Sequence, residues 1–302
     1  MFHFLPSPIT GTLSLLLYLI NTLFWFVPVI ILAILKLLPL ASWQRLITYL
    51  LDACAVAWIS LNNVTTRLFT RISWQVTGVK GLTKKDWYLI LANHQSWADI
   101  LVLQKIFNHK VPFIKFFLKK ELIYVPFLGV CWWALDFPFM KRYSKQFLQK
   151  NPHLKGKDIE TTRKACAKFR FKPVTIMNFV EGTRFTPEKH DTQQSPFKNL
   201  LKPKAGGVAF VLGTMGQQIH KILDVTIFYP QGIPSFWDYI SGKVREVTVK
   251  VEMKPIHADL LGDYEDPDYR KQFQLWINDL WQNKDQQISQ LKSQYSKTDA
   301  SQ

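Results

Sequence analysis

The first 35 residues contain no Asp, Glu, Lys or Arg. Residues 12–35 form an apolar run interrupted by Asn21 and Pro28. At about 1.5 Å per residue, this run is long enough to cross a hydrocarbon core of about 30 Å. A cleavable signal peptide is disfavoured because a basic leading region is missing, the apolar run is too long and no small-residue cleavage site follows. The sequence therefore predicts an N-terminal membrane helix.

Cysteine is scarce, and no familiar metal-binding pattern is present. The three cysteines, Cys54, Cys131 and Cys166, are odd in number and far apart, and no C-x-x-C occurs. This spacing excludes a disulfide framework and a zinc knuckle, and it predicts reduced, packed thiols. The seven histidines form neither an HExxH motif nor a cluster with cysteine. We therefore expect no metal and no bound cofactor.

Acidic residues are in deficit, with 22 Asp and Glu against 38 Lys and Arg, for a net charge of +16. So basic a chain favours an anionic partner, either nucleic acid or a membrane surface. The apolar N-terminus favours the membrane. Nearly all of the charge follows residue 35, beginning with Lys36 and Arg45. The positive-inside rule then places the remainder on the cytoplasmic side, at the inner, cytoplasmic membrane.

A second apolar stretch, residues 46–61, is shorter and contains Asp52. This stretch could form either a second membrane span or an interfacial or re-entrant helix, and the sequence leaves both alternatives open. Both helices entering one leaflet keeps the topology consistent in either case. The sequence thus predicts an anchor of one or two hydrophobic helices over residues 1–72.

Beyond residue 74, strand and helix patterns alternate. Short apolar or β-branched runs predict strands, and i, i+3, i+4 spacing predicts helices. We expect an α/β fold in which a central mixed sheet is flanked by helices. The predicted α/β domain covers residues 73–260, and residues 261–302 are predicted to form an amphipathic helix followed by a polar tail. The predicted strands are 87–92, 136–140, 174–180, 225–229 and 244–251, and the predicted helices are 97–107, 158–169, 206–212 and 268–282.

The segment NHQSWAD, residues 93–99, lies where a predicted strand turns into a helix. Ligands bind at this edge of α/β sheets. Asp99 in the first helical turn can reach His94, fix its tautomer and leave the other ring nitrogen to accept a proton. Spacing alone leaves a second reading open, in which Asp99 serves the helix dipole and His94 is satisfied by the backbone.

A second polar segment, FVEGTRF at residues 179–185, follows the predicted strand 174–180. Gly182 allows close approach of the backbone to a ligand, and Arg184 offers a planar fork suited to phosphate. Glu181 is predicted to hold Arg184 or to contact substrate hydroxyls. A polar turn with an ordinary ion pair is the alternative.

Together these two segments, in this order and after an apolar N-terminus, resemble the glycerolipid acyltransferase superfamily. That superfamily includes the 1-acylglycerol-3-phosphate acyltransferases, and the likeness is greatest to the branch with lysocardiolipin acyltransferases and bacterial membrane relatives. Residues 136–142 resemble an intermediate block whose arginine, here Arg142, helps to bind phosphate. Residues 225–230 take the place of a fourth block but lack its proline at the usual point.

The resemblance implies His94 as general base and Asp99 as its orienting partner. It implies transfer of a fatty acyl group from acyl-CoA or acyl carrier protein to a lysophospholipid hydroxyl, with lysophosphatidic acid as the default acceptor. The rival hypotheses are a thioester hydrolase using the same dyad and a non-catalytic membrane-binding relative. The residues implied in phosphate binding are Arg142, Glu181, Gly182, Thr183 and Arg184.

Residues 110–122 interleave lysines with phenylalanines. Such a stretch favours contact with anionic headgroups, and Lys115, Lys119 and Lys120 are predicted to lie at the membrane surface. Nucleic-acid binding and a buried helix with a solvated lysine face are the alternatives.

Overall fold

The computed structural model describes residues 2–140, 169 and 172–299. Two long helices open the chain, α1 at Ser7–Leu35 and α2 at Ala41–Phe69. By length and composition both can cross a membrane. The second helix extends well beyond the predicted apolar stretch 46–61, because polar residues on both sides of that stretch also adopt helical structure.

The two helices are joined by polar contacts inside their apolar surfaces. The side-chain amide of Asn21 donates to Asn62 Oδ1 at 2.8 Å and to the Trp58 carbonyl at 2.9 Å. The hydroxyls of Tyr18 and Thr66 lie 2.7 Å apart. Interhelical hydrogen bonds of this kind hold apolar helices together where lipid supplies no hydrophobic driving force. The interruption at Asn21 therefore serves helix pairing.

A six-stranded mixed sheet forms the centre of the remaining chain, which confirms the predicted fold class. Its order is β1-β8-β7-β2-β6-β3; β7 and β8 are antiparallel, and the other neighbours are parallel. The strands are β1 Ser73–Thr77, β2 Tyr88–Ala92, β3 Ile114–Phe116, β6 Thr175–Phe179, β7 Lys221–Phe228 and β8 Glu246–Pro255. A separate parallel pair joins β4 Leu118–Lys119 to β5 Phe139–Met140.

Helices cover both faces of the sheet. Alternate residues of β2 enter different cores. Leu89 and Leu91 pack with α6 (Ala205–Met215) and α8 (Pro267–Asp299), whereas Ile90 packs with α3 (Ala98–Phe107). Burial on both faces explains why β2 is a continuous apolar run. The helices are α3 Ala98–Phe107, α4 Leu128–Ala134, α5 Pro187–Gln193, α6 Ala205–Met215, α7 Phe236–Ile240 and α8 Pro267–Asp299, with 3₁₀ turns at Lys120–Tyr124 and Ala258–Leu260.

Residues 110–122 depart from their prediction. They form β3, β4 and the start of a 3₁₀ turn, and Lys115 is only 1% exposed. Its ammonium donates to the Leu135 carbonyl at 2.6 Å and lies 3.8 Å from Asp52 of α2. The prediction of Lys115 at a membrane surface is wrong, because pairing of β3 with β6 carries it into the interior. Lys119 and Lys120 are exposed.

The C-terminal helix also departs from its prediction. α8 continues to Asp299, through the segment predicted as a polar tail. Its polar side chains contact the strands and loops of the central sheet domain. Lys284 Nζ lies 2.6 Å from Asp224 of β7, and Asp285 accepts from the backbone N–H of Asn199 at 2.6 Å. The helix persists because its polar side chains have buried partners that composition does not reveal. The domain boundaries at residues 72 and 260 stay predictions.

Candidate active site

His94 and Asp99 lie in and just after the loop that joins β2 to α3. The Nδ1 atom of His94 is 2.9 Å from Asp99 Oδ2, and the His94 side chain is 12% exposed. Since the carboxylate takes Nδ1–H, Nε2 is the nitrogen left to accept a proton. The structure thus brings the two residues into the arrangement that a general base and its orienting carboxylate require.

Asp99 is fully buried and surrounded by donors. Its Oδ2 atom also accepts from the backbone N–H of Gln95 at 2.6 Å and of Ser96 at 2.9 Å. Its Oδ1 atom accepts from the Tyr229 hydroxyl at 2.6 Å. A group that accepts at every contact is suited to the ionised form, which is acceptor-only. These bonds fix the carboxylate, and the carboxylate in turn fixes the imidazole.

Two residues that support the dyad were not identified from the sequence. Tyr229 follows β7, which pairs with β2, and burial raises the pKa of its hydroxyl well above the usual value, so it stays a donor to Asp99. The ring of Phe179, at the end of β6, stacks on the His94 ring at 3.8 Å with an 11° interplanar angle. Their positions at the ends of strands beside β2 were the available signal.

Parallel register brings the second motif to the first. Ala92 of β2 pairs with Phe179 of β6, so His94 and Glu181 each lie two residues beyond paired strand ends. Glu181 Oε1 accepts from the backbone N–H of His94 at 3.0 Å, and Oε2 accepts from Leu201 N–H at 3.2 Å. The side chain is fully buried. This corrects the prediction that Glu181 binds substrate or Arg184, because both oxygens hold loop backbone.

Burial raises the pKa of the Glu181 carboxyl to about 8, and the neighbouring Asp99 charge also raises it, although the two backbone N–H groups oppose the shift. The folded state therefore holds a proton that the unfolded chain releases above about pH 4.5. Stability from this group is present at acid pH and is lost as the pH rises through about 8. We expect the free energy of unfolding to fall by a few kcal/mol between pH 5 and pH 8. This is the order of magnitude that a pKa shift of this size implies.

Chemical denaturation at several pH values in this window checks the expectation. Glu181→Gln should flatten the dependence, even though its absolute stability falls because the amide turns a donor toward one backbone N–H. Glu188→Gln, at an exposed glutamate of α5, is the matched control and should keep the wild-type slope. A Glu181→Gln protein with the full slope would contradict the assignment.

Gly182 adopts a positive φ of 68°, a region open to glycine. Its N–H donates to the Phe179 carbonyl at 2.8 Å. A Cβ at this position would lie 3.1 Å from Cδ and 3.3 Å from Nζ of Lys204. Glycine therefore closes the turn and lets a lysine ammonium come close to the loop.

Three cationic side chains surround this loop. The Arg184 guanidinium lies 4.4 Å above the ring of Trp97, which is 55% exposed and belongs to the first motif. Lys189 Nζ donates to Thr183 Oγ1 at 2.9 Å and to the Arg184 carbonyl at 3.0 Å. Lys189 and Lys204 were missed from the sequence because they lie outside both motifs. The positive charge suits an anionic substrate group.

The structure brings most predicted site residues together. His94, Asp99 and Gly182–Arg184 converge at one edge of the sheet, with Glu181 beneath them. Arg142 and all but the last residue of the predicted helix 158–169 lie outside the described residues. Among residues 2–140, 169 and 172–299, no group of three His, Cys, Asp or Glu side chains is placed to hold a metal ion.

Comparison with known proteins gives named relatives. The chain is 26% identical over 223 residues to 1-acyl-sn-glycerol-3-phosphate acyltransferase 3 of Arabidopsis thaliana, covering 68% of this chain and 54% of that protein. It is 26% identical over 178 residues to the human gamma form, covering 55% and 43%. Against lysocardiolipin acyltransferase 1 of Gallus gallus it is 23% identical over 268 residues, covering 82% and 64%. The chain thus spans less than two thirds of each relative's length.

A crystal structure of the 1-acyl-sn-glycerophosphate acyltransferase of Thermotoga maritima aligns with a TM-score of 0.48 and 14% identity, covering 95% of this chain and 97% of that one. The sequence model of the acyltransferase family matches residues 73–229, which hold both motifs and end at Tyr229. The resemblance inferred from the motifs is confirmed by this match. Since it covers more than half of the chain, the chain belongs to the acyltransferase family.

Proposed function

We propose that this chain transfers a fatty acyl group from a thioester to the free hydroxyl of a lysophospholipid. The observation that carries the proposal is that a proton acceptor lies beside a group suited to bind an anion. The proton acceptor is His94 with Asp99, after β2, and the anion-binding group is Arg184, after β6. Arg184 rests on Trp97, so the two loops act as one site. The names of the relatives support lysophosphatidic acid as the first acceptor to test.

In the proposed reaction, Nε2 of His94 removes the proton of the acceptor hydroxyl as its oxygen attacks the thioester carbonyl carbon. The tetrahedral intermediate then collapses, the carbon–sulfur bond breaks and the proton passes to the departing thiolate. Asp99 stabilises the imidazolium between these steps. An alcohol is a poor nucleophile, so a positioned base is worth about 10²–10⁴-fold. The acceptor supplies the nucleophile, and no acyl-enzyme is required.

The acceptor's phosphate is assigned to Arg184, Lys189 and Lys204. A planar guanidinium held over the Trp97 ring keeps its donors directed and loses little freedom on binding. Lys189 fixes Thr183 and the Arg184 carbonyl, which holds the loop in shape. Acyl-CoA and acyl carrier protein stay equal proposals for the donor.

The membrane anchor is proposed to lie in one leaflet beside the catalytic fold. A Cβ on Gly11 of α1 would lie 2.7 Å from Trp237 Cζ2, so the helix start is pressed against α7. Asp52 of α2 pairs with Lys172, and Ser60 is 2.9 Å from His109 Nε2. Helices that contact a polar domain along their length cannot also have lipid on all sides. These contacts favour a position of both helices beside the catalytic fold, and the cytoplasmic side of the membrane is proposed from the positive charge that follows α1.

An assay with purified protein tests the function. One acyl thioester is offered with a panel of lysophospholipids that differ in headgroup, and the diacyl product is measured. We expect acyl transfer only when a lysophospholipid is present, and the greatest kcat/KM with lysophosphatidic acid. Thioester consumption that is unchanged when the lysophospholipid is omitted would identify a hydrolase and overturn the proposal.

Arg184→Ala is expected to raise the KM of the acceptor by about 10- to 100-fold, because a charge-assisted hydrogen bond is worth about 1.5–3 kcal/mol. The KM of the thioester donor should change little. Steady-state kinetics with each substrate varied in turn measures both values.

Arg270→Ala is the matched control, since the Arg270 guanidinium also lies over an aromatic ring, Tyr264 at 5.9 Å, but belongs to α8 and to neither motif loop. It should leave both KM values unchanged. If Arg184→Ala alters only the donor's KM, Arg184 binds the donor and the assignment is wrong.

A further inference from the structure

Large apolar side chains are exposed at every third position from Tyr124, the last residue of the 3₁₀ turn Lys120–Tyr124, to Trp133 in α4. Tyr124 is 81% exposed, Phe127 46%, Val130 40% and Trp133 49%. Within α4 and its N-cap, a spacing of three residues places Phe127, Val130 and Trp133 on the same side of the helix, and Tyr124 precedes them at the end of the 3₁₀ turn. Contiguous apolar exposure of this kind marks an interaction surface. We name these four residues the α4 face.

The opposite side of the same segment is packed into the protein. Leu122, Cys131 and Trp132 pack against a buried cluster that contains Leu51 of α2 and Leu118. A Cβ on Gly129 would lie 2.0 Å from the Ile123 carbonyl oxygen, so the turn into α4 is closed as tightly as backbone allows. The segment is therefore held in place, and the outward direction of the α4 face is built into the fold.

The α4 face continues the lipid-facing surface of α1. The Phe127 ring meets Phe26 of α1 edge-on at 5.1 Å, with the rings at 90°. Near this contact, α1 exposes Phe24 and Val27. The combined surface is thus shared by two elements distant in the sequence.

The ends of the α4 face have the residue types of a membrane interface. Tyr and Trp are enriched where hydrocarbon meets headgroups, since their rings have an apolar body and a polar tip. The exposed Lys119 and Lys120 precede Tyr124, where they suit anionic headgroups. A protein partner would require only a surface of complementary shape. The combination of exposed apolar side chains, terminal Tyr and Trp and adjacent lysines instead matches the chemistry of a lipid interface.

We propose that the α4 face inserts into the same leaflet as α1 and is a third membrane contact of the chain, beside its two N-terminal helices. The inference rests on the proposed membrane association. A third contact beside the two helices restricts the tilt of the catalytic fold relative to the bilayer. The sequence predicted a membrane contact over residues 110–122. The proposed contact instead begins at the C-terminal end of that stretch and continues through the residues that follow.

Photocrosslinking of the full chain tests the inference. Benzoylphenylalanine is placed at Tyr124 or at Val130, and the protein is irradiated on vesicles of phosphatidylglycerol and phosphatidylethanolamine. Leu275 is the matched control, because it is an apolar residue 55% exposed on α8, which covers the other face of the sheet from α3. Mass measurement of the intact protein counts lipid adducts. We expect adducts at positions 124 and 130 at several times the level at 275.

Equal labelling at all three positions, in protein that sediments with the vesicles, would overturn the inference. Crosslinks to a second copy of the chain in place of lipid would overturn it as well. Acyl transfer is measured on the same three variants. Lipid labelling at 124 and 130 supports the inference even where acyl transfer fails, so failure of the α4 face and failure of the proposed function are distinguishable.

Discussion

Replacing His94 with alanine is expected to lower kcat for acyl transfer by about 10²–10⁴-fold, the contribution of a positioned general base. The acceptor's KM should change little, since the cationic side chains lie on the neighbouring loop. The fold should persist, because the bonds from the surrounding backbone to Glu181 and Asp99 do not involve the imidazole. Single-turnover kinetics with saturating substrates measures the loss directly.

The structure also specifies how the effect combines with that of Asp99. Asp99→Asn removes the negative charge beside His94 and turns an amide N–H₂ toward either the Tyr229 hydroxyl or the three N–H groups of residues 94–96, so it should lower kcat as well. Because the pair acts as a unit, the double variant should be no slower than His94→Ala alone.

His220→Ala is the matched control, an exposed histidine just before β7 and so at the opposite end of the sheet. It should keep wild-type kcat. Full activity in His94→Ala would exclude His94 as the base, and multiplicative losses in the double variant would show that Asp99 acts independently of His94.

Replacing Lys284 with methionine is expected to destabilise the fold by about 3–5 kcal/mol, the cost of leaving one member of a buried ion pair alone. Lys284 is 1% exposed and Asp224 is 5% exposed. The ammonium also donates to the Val225 carbonyl at 2.6 Å, so a backbone acceptor in β7 loses its partner too. For a domain of this size the loss corresponds to roughly 10 °C in Tm.

Thermal unfolding in detergent micelles measures this loss. Lys271→Met, at an exposed lysine on the same helix, is the matched control and should shift Tm little. Lys284→Met combined with Asp224→Asn should cost less than the sum of the single changes, because the second change removes the stranded charge. Additive losses would show that the pair is not coupled.

Much of the site was predictable because strand and helix boundaries are local. The apolar run that ends at Ala92 and the helical spacing after Trp97 place His94 and Asp99 at a sheet edge. The run 174–180 does the same for Gly182 and Arg184. Parallel pairing of neighbouring strands then brings the two loops together, as the register of Ala92 with Phe179 shows.

Residue type alone misassigned two charged side chains. Glu181 was predicted to contact the substrate because it is acidic and adjoins Gly182, but burial directs it to backbone N–H groups. Lys115 was predicted at a surface because it is basic, but Asp52 and a carbonyl compensate its charge inside the fold. The partner that makes burial possible is distant in the chain in both cases.

The sequence by itself determined the two apolar N-terminal helices, the alternation of strands and helices, and the positions of the two motif loops. These features depend on apolar periodicity and on spacing within a few residues. Only the tertiary structure decided that Tyr229 holds Asp99, that Phe179 supports His94, that Trp97 supports Arg184 and that α8 completes the fold. Each of these contacts joins segments far apart in the chain, and their meeting is fixed by strand order and helix packing, which local sequence patterns do not encode.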